Sequence, residues 1–145
     1  IEASERAPAQ EPIEKAYVIT NWAPSTDYCG EENTISVSLK LILSSPDSYA
    51  GECVRTEGYY RARALFLKKG DMRRAYSSSN RRNADRRLGI YASEEQLDAL
   101  EHKDGKIVEV YGMVSECSAL YNENTIMTLG YCHYTGGPII GLVPD

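Results

Sequence analysis

Gly51-Glu-Cys-Val-Arg-Thr-Glu-Gly58-Tyr-Tyr60 returns later in the chain as Gly105-Lys-Ile-Val-Glu-Val-Tyr-Gly112-Met-Val114. Both segments read Gly-x-x-Val-x-x-x-Gly followed by two apolar or aromatic residues. Side chains of a strand alternate between its two faces, so Val54, Thr56 and Tyr60 share one face. Val108, Val110 and Val114 share one face in the echo. A glycine inside a strand marks a bulge or a tight bend, the device that closes a small barrel. Two such strands in one short chain predict a closed sheet.

Working outward from the first strand, Thr34-Ile-Ser-Val-Ser-Leu-Lys-Leu-Ile-Leu-Ser-Ser-Pro46 precedes it. Ser36 or Ser38 can cap a short helix carrying Leu39, Ile42 and Leu43, which Pro46 stops; alternation over 34–43 also permits a strand. Residues 16–28 hold a short apolar run that reads as a strand or extended arm ending in a turn. After the first strand, Ala64–Leu67 and Arg87–Ala92 read as two more strands. Ser93-Glu-Glu-Gln96 is a capping box, Leu97 and Leu100 give the following helix an apolar stripe, and Gly105 ends it. Beyond the echo, Tyr121–Asn124 is a turn and Thr125–Tyr134 reads as the last strand. Thr135-Gly-Gly-Pro138 breaks it before a short, partly apolar tail.

The order is strand, strand, strand, helix, strand, strand. Residues 36–134 resemble an OB-fold domain of the kind found in exported bacterial proteins. The resemblance is carried by Leu39–Tyr60, with its Leu…Pro…Tyr-x-Gly-x-x-Val-x-x-x-Gly entry into the first barrel strand. It implies a mainly β chain: a five-stranded Greek-key barrel with a short helix between strands 3 and 4 and another before strand 1. The long loop between the second and third strands departs from a minimal barrel. Residues 1–15 are expected as a disordered arm and residues 16–145 as one barrel domain.

The chain has 145 residues, 42% of them hydrophobic and 26% charged, which excludes wholesale disorder, collagen-like and coiled-coil chains. It has no apolar run near ~18 residues, the length of a membrane-spanning helix. Among the aromatic residues there are 11 Tyr against one Phe and one Trp, which suits a small sheet protein with half-exposed faces. A first residue other than Met, followed by the polar stretch 1–15, fits a mature chain whose signal peptide has been removed. A trimmed chain would read the same way. Cys29, Cys53, Cys117 and Cys132 form no CxxC pair, which speaks against zinc. An even, dispersed count fits two disulfides in an oxidising compartment, with three connectivities open; buried free thiols are the alternative. In an OB-type barrel the first and fourth strands are antiparallel neighbours. Setting Gly58 opposite Gly112 also sets Cys53 opposite Cys117. The expected pairs are therefore Cys53–Cys117 and Cys29–Cys132.

Charge is separated along the chain. Residues 68–87 hold Lys68, Lys69, Arg73, Arg74, Arg81, Arg82, Arg86 and Arg87 against Asp71 and Asp85, a net +6. The remainder then carries −11 of the overall −5. Arg forks suit phosphate and carboxylate, so this segment is a candidate anion footprint around a Ser77–Asn80 centre. A solvated loop without a ligand is the bland reading. An acidic pI of ≈ 5.1 counts against nucleic acid, leaving acidic glycans and phosphorylated lipid headgroups ahead of it. OB-folds bind oligomers on the outer face of the second and third strands, where Tyr59, Phe66, Tyr76 and Tyr91 fall. The alternative is that these rings are core.

Catalytic signatures are sparse. There is no phosphate loop, dinucleotide fingerprint, HExxH or GxSxG. Cys132 beside His133 suggests a nucleophile and base, but neighbours on a strand point to opposite faces and a disulfide would remove the thiol. His102, at a helix end, suits the helix dipole better than a metal. Glu57 and Glu109 are expected outward, paired with Arg55 or Lys106. The reading is a non-enzymatic binding or interaction module of the bacterial periplasm or envelope, with no cofactor. Its ligand surface would be the basic segment plus Tyr59, Phe66 and Tyr91; its partner would be an anionic polymer, lipid headgroup or protein. The rival is a small hydrolase or thiol enzyme at Cys132 and His133.

Overall fold

The computed structural model describes residues 17–19, 29–75, 86–120, 125–128 and 130–143. A short strand, β1 (Tyr17–Ile19), and a second, β2 (Thr34–Ser36), precede the barrel. Ser38 is the residue that caps the next helix: its hydroxyl accepts the Leu41 N–H at 3.3 Å. That helix, α1 (Leu39–Ser44), buries Leu39 and Ile42. Pro46 ends it and opens another turn, α2 (Pro46–Tyr49), because a first helical residue needs no N–H partner.

The barrel strands follow. β3 (Cys53–Arg61) turns through Ala62 and Arg63 into β4 (Ala64–Phe66), and β5 (Arg87–Tyr91) comes after the basic segment. Helix α3 (Glu94–Glu101) has the expected capping box: Ser93 Oγ accepts from Gln96 N–H, and the Gln96 side chain accepts from Ser93 N–H. Then come β6 (Ile107–Glu116), β7 (Thr125–Thr128), helix α4 (Tyr131–Tyr134) and β8 (Pro138–Leu142).

Hydrogen bonding runs β3-β4-β5-β8-β6 and closes from β6 back onto β3. The barrel is five-stranded and mixed, because β5 and β8 run parallel while the other pairs are antiparallel. With α3 between its third and fourth strands, it is an OB-like barrel. β2 adds to β3 in parallel, and β1 pairs with β7 in a separate two-stranded ribbon. Val54, Tyr60, Leu65, Ile90, Val114 and Ile140 fill the interior, closed by Leu39 and Ile42 of α1 and by Leu97 and Leu100 of α3.

Three expectations are corrected. The segment Thr125–Tyr134 is not the closing strand. It splits at Gly130, whose φ of 79° breaks the extended chain, into β7 and α4. The closing strand is the apolar tail, which brings Ile139, Ile140 and Leu142 to the seam; Pro138, at its first residue, is tolerated there. Second, the register differs from the alignment of the two echoes. Gly58 faces Val108, Gly112 faces Val54, and Cys53 faces Met113. The ladder passes both glycines without a bulge. A Cβ on Gly112 would run into the Gly141 carbonyl oxygen, and one on Gly58 would come within 2.7 Å of Leu39 Cδ2. Each glycine serves close approach, not bending.

Third, the disulfides are Cys29–Cys53 and Cys117–Cys132, not Cys53–Cys117 and Cys29–Cys132. Cys117 lies one residue past the end of β6, in a 3-10 turn (Cys117–Leu120), so it never enters the ladder opposite β3. The expected arm 1–15 and the turn Tyr121–Asn124 lie outside the described residues.

Candidate anion-binding face

The β4–β5 hairpin decides where the basic segment begins and ends. Phe66 pairs with Arg87, so Leu67 and Lys68 leave the ladder beside the point where Arg86 enters it. A 3-10 turn (Lys69–Arg74) follows, pinned by buried Met72 and Ala75. Its polar residues are thereby turned outward. Lys68, Lys69 and Arg73 are exposed, and Arg73 Nε donates to the Gly70 carbonyl at 3.2 Å. Arg74 lies in the same turn.

Helix α1 stands across from this edge. With Leu39 and Ile42 turned into the barrel, helical geometry sends Lys40 and Ser44 to the opposite side. Between the helix and the hairpin end lies an open groove of about 410 Å³. It is lined by Lys40, Leu43, Ser44, Leu67, Lys68, Asp71 and Arg86. Three cations face one carboxylate. Arg86 Nη1 and Asp71 Oδ1 are 4.0 Å apart, a loose pair at the limit of ion pairing. Among the described residues, Lys40 and Lys68 have no carboxylate within ion-pairing distance. Such a groove can hold an anion by charge and by N–H donors, with Leu43 and Leu67 offering apolar contact beside it.

The other expected site residues fall elsewhere. Phe66, Arg87 and Tyr91 are buried, at 1%, 2% and 3% exposure. Every residue of β5 is buried, because its outer face is roofed by the 3-10 turn and α4. Arg87 lies over the Phe66 ring at 5.2 Å, and its Nη1 donates to the Ala75 carbonyl at 3.4 Å. The Cys132 N–H donates to Tyr91 Oη at 2.9 Å. These three residues anchor the roof and are not open to a ligand. Tyr59 is half-buried and packs against the same cluster. Arg81, Arg82 and Tyr76 lie outside the described residues.

Sequence reasoning missed Lys40 and Ser44. The available signal was the helix itself: placing Leu39 and Ile42 inward already puts Lys40 and Ser44 outward.

Other candidate chemistry is accounted for. Cys132 is oxidised and buried, which leaves the thiol-enzyme reading without its nucleophile. His133 is exposed on α4, not on a strand. His102 caps the C-terminus of α3. Glu57 and Glu109 face outward opposite each other, and Arg55 Nε lies 3.9 Å from Glu109 while its guanidinium covers Tyr111. Among the described residues, no group of three or more His, Cys, Asp or Glu is placed to hold a metal ion. None of their helices is long and apolar enough to cross a membrane. No protein-family model, no curated protein and no solved structure matches the chain.

Proposed function

We propose that this protein is a non-enzymatic binding module that takes an anionic ligand in the groove between α1 and the β4–β5 edge, and that it works in the periplasm or cell envelope. The observation that carries this reading is the convergence of Lys40, Lys68 and Arg86 on one groove with a single carboxylate. Outside residues 68–87 the chain carries a net −11, so its positive charge is concentrated in the one segment of sequence that supplies Lys68 and Arg86. Two disulfides support an oxidising compartment. Phe66 and Tyr91 are buried, so two of the four rings expected on this side are withdrawn from base stacking, which weakens the case for nucleic acid.

The test is a binding screen by calorimetry and co-sedimentation against pyrophosphate, heparin, a single-stranded oligonucleotide and anionic lipid vesicles. Binding to at least one anion, weakening with added salt and lost in the Lys40→Ala/Lys68→Ala/Arg86→Ala variant, is expected. Absence of binding to every anion at low salt sinks the proposal.

A further inference from the structure

Two large apolar side chains stand exposed on the two elements that border the cationic groove. Leu41 of α1 is 52% exposed and Leu67, after β4, is 37% exposed. Leu67 lines the groove, and Leu41 lies on α1, the short helix whose Lys40, Leu43 and Ser44 form the other wall. Exposed Lys40 and Lys68 are the sequence neighbours of these leucines, and exposed Arg86 shares the groove. A soluble anion such as phosphate or an acidic glycan would use the cations and gain nothing from Leu41. A polynucleotide would need exposed rings, and none lines this groove. An anionic lipid surface uses both features. Its headgroups neutralise the cations, and the leucines enter the boundary between headgroups and acyl chains. Lysine stems suit this arrangement, because they lie along apolar surface while the ammonium stays with the headgroups.

Building on the anion-binding reading, we infer that this face docks the protein on an anionic lipid surface. Lys40, Lys68 and Arg86 contact headgroups, and Leu41 and Leu67 insert at the interface.

Co-sedimentation of the full chain with phosphatidylcholine vesicles, with and without about 30 mol % phosphatidylglycerol, tests the inference. Binding is expected only to the anionic vesicles. Lys40→Ala/Lys68→Ala/Arg86→Ala should weaken it roughly 100-fold, at about one factor of five per cation. Leu41→Asn/Leu67→Asn should weaken it about tenfold, and Leu41→Asn alone, which leaves the groove lining intact, should weaken vesicle binding while pyrophosphate and heparin binding stay unchanged. All five positions lie on the surface, and an unchanged circular dichroism spectrum and Tm will show that each variant is folded. Three outcomes would overturn the inference: no vesicle binding although a soluble anion binds, vesicle binding indifferent to the leucine variant, or vesicle binding indifferent to the cation variant. The first of these leaves the anion-binding module standing. Failure to bind any anion removes both.

Discussion

Single atoms limit what this barrel tolerates. Gly112 meets the backbone of β8 where a methyl group has no room, since the obstacle is the Gly141 carbonyl and not a mobile side chain. Gly112→Ala must push two barrel strands apart. A loss of about 3 kcal/mol or more is expected, read as a lower urea midpoint, because overpacking a rigid seam exceeds ordinary core misfits. Tyr60 sets a limit of another kind. Its hydroxyl donates to Glu101 Oε2 at 2.6 Å, and burial with that carboxylate pushes its pKa well above the ordinary tyrosine value. Burial, aided by neighbouring Tyr91 and opposed by Arg87, pushes Tyr131 in the same direction. A raised folded-state pKa means the folded chain holds protons that the unfolded chain releases. Stability from these phenols is therefore complete below about pH 10 and falls as pH rises beyond it. Tyr60→Phe/Tyr131→Phe should flatten that alkaline decline in denaturation midpoints measured across the range; an equally steep decline would refute the assignment.

At the level of elements, the β3–β4 hairpin carries a local cost. Its two-residue turn places Ala62 at φ 52° and Arg63 at φ 60°, where the favoured residues are Asn and Gly. Arg63→Gly should raise stability by about 1 kcal/mol, visible as a higher Tm, because it removes the left-handed penalty of a side-chain-bearing residue. That turn illustrates why some elements were legible and others not. The strands around Val54 and Val108 and the capping box at Ser93 declare themselves through local spacing, whereas residues 34–43 fit both a capped helix and a strand until Leu39 and Ile42 pack into the barrel. The hairpin turn does not, since neither residue is a turn former, and the ladder on either side imposes the conformation. The closing strand was hidden for a related reason: Ile139–Leu142 is too short to show a period, and only the barrel makes it a strand. The site followed the same divide. Lys68 and Arg86 could be named from composition. The burial of Phe66, Arg87 and Tyr91 could not, because alternation marks two faces of a strand without saying that the outer one is roofed.

On the scale of the whole molecule, the disulfides staple the outer layers to the barrel. Cys29–Cys53 fastens the segment before β2 to the first barrel strand; Cys117–Cys132 fastens α4 beneath the end of β6. The second closes a loop over a sequence separation of 15. Cys117→Ala/Cys132→Ala should cost about 3 kcal/mol and loosen the roof over β5. Hydrogen exchange at Gly89–Tyr91 should rise in that variant more than exchange in β3. Peptide mapping of the unreduced chain should return these two pairs and no other. The order of the pairing has its own consequence. Each cysteine joins the next one along the chain, first with second and third with fourth. A chain that enters an oxidising space N-terminus first presents Cys29 and Cys53 together before Cys117 has arrived. An oxidant that links thiols as they emerge therefore makes the native bonds directly. In the periplasmic setting proposed above, maturation of this protein should be indifferent to the loss of a disulfide isomerase and sensitive only to the loss of the oxidant.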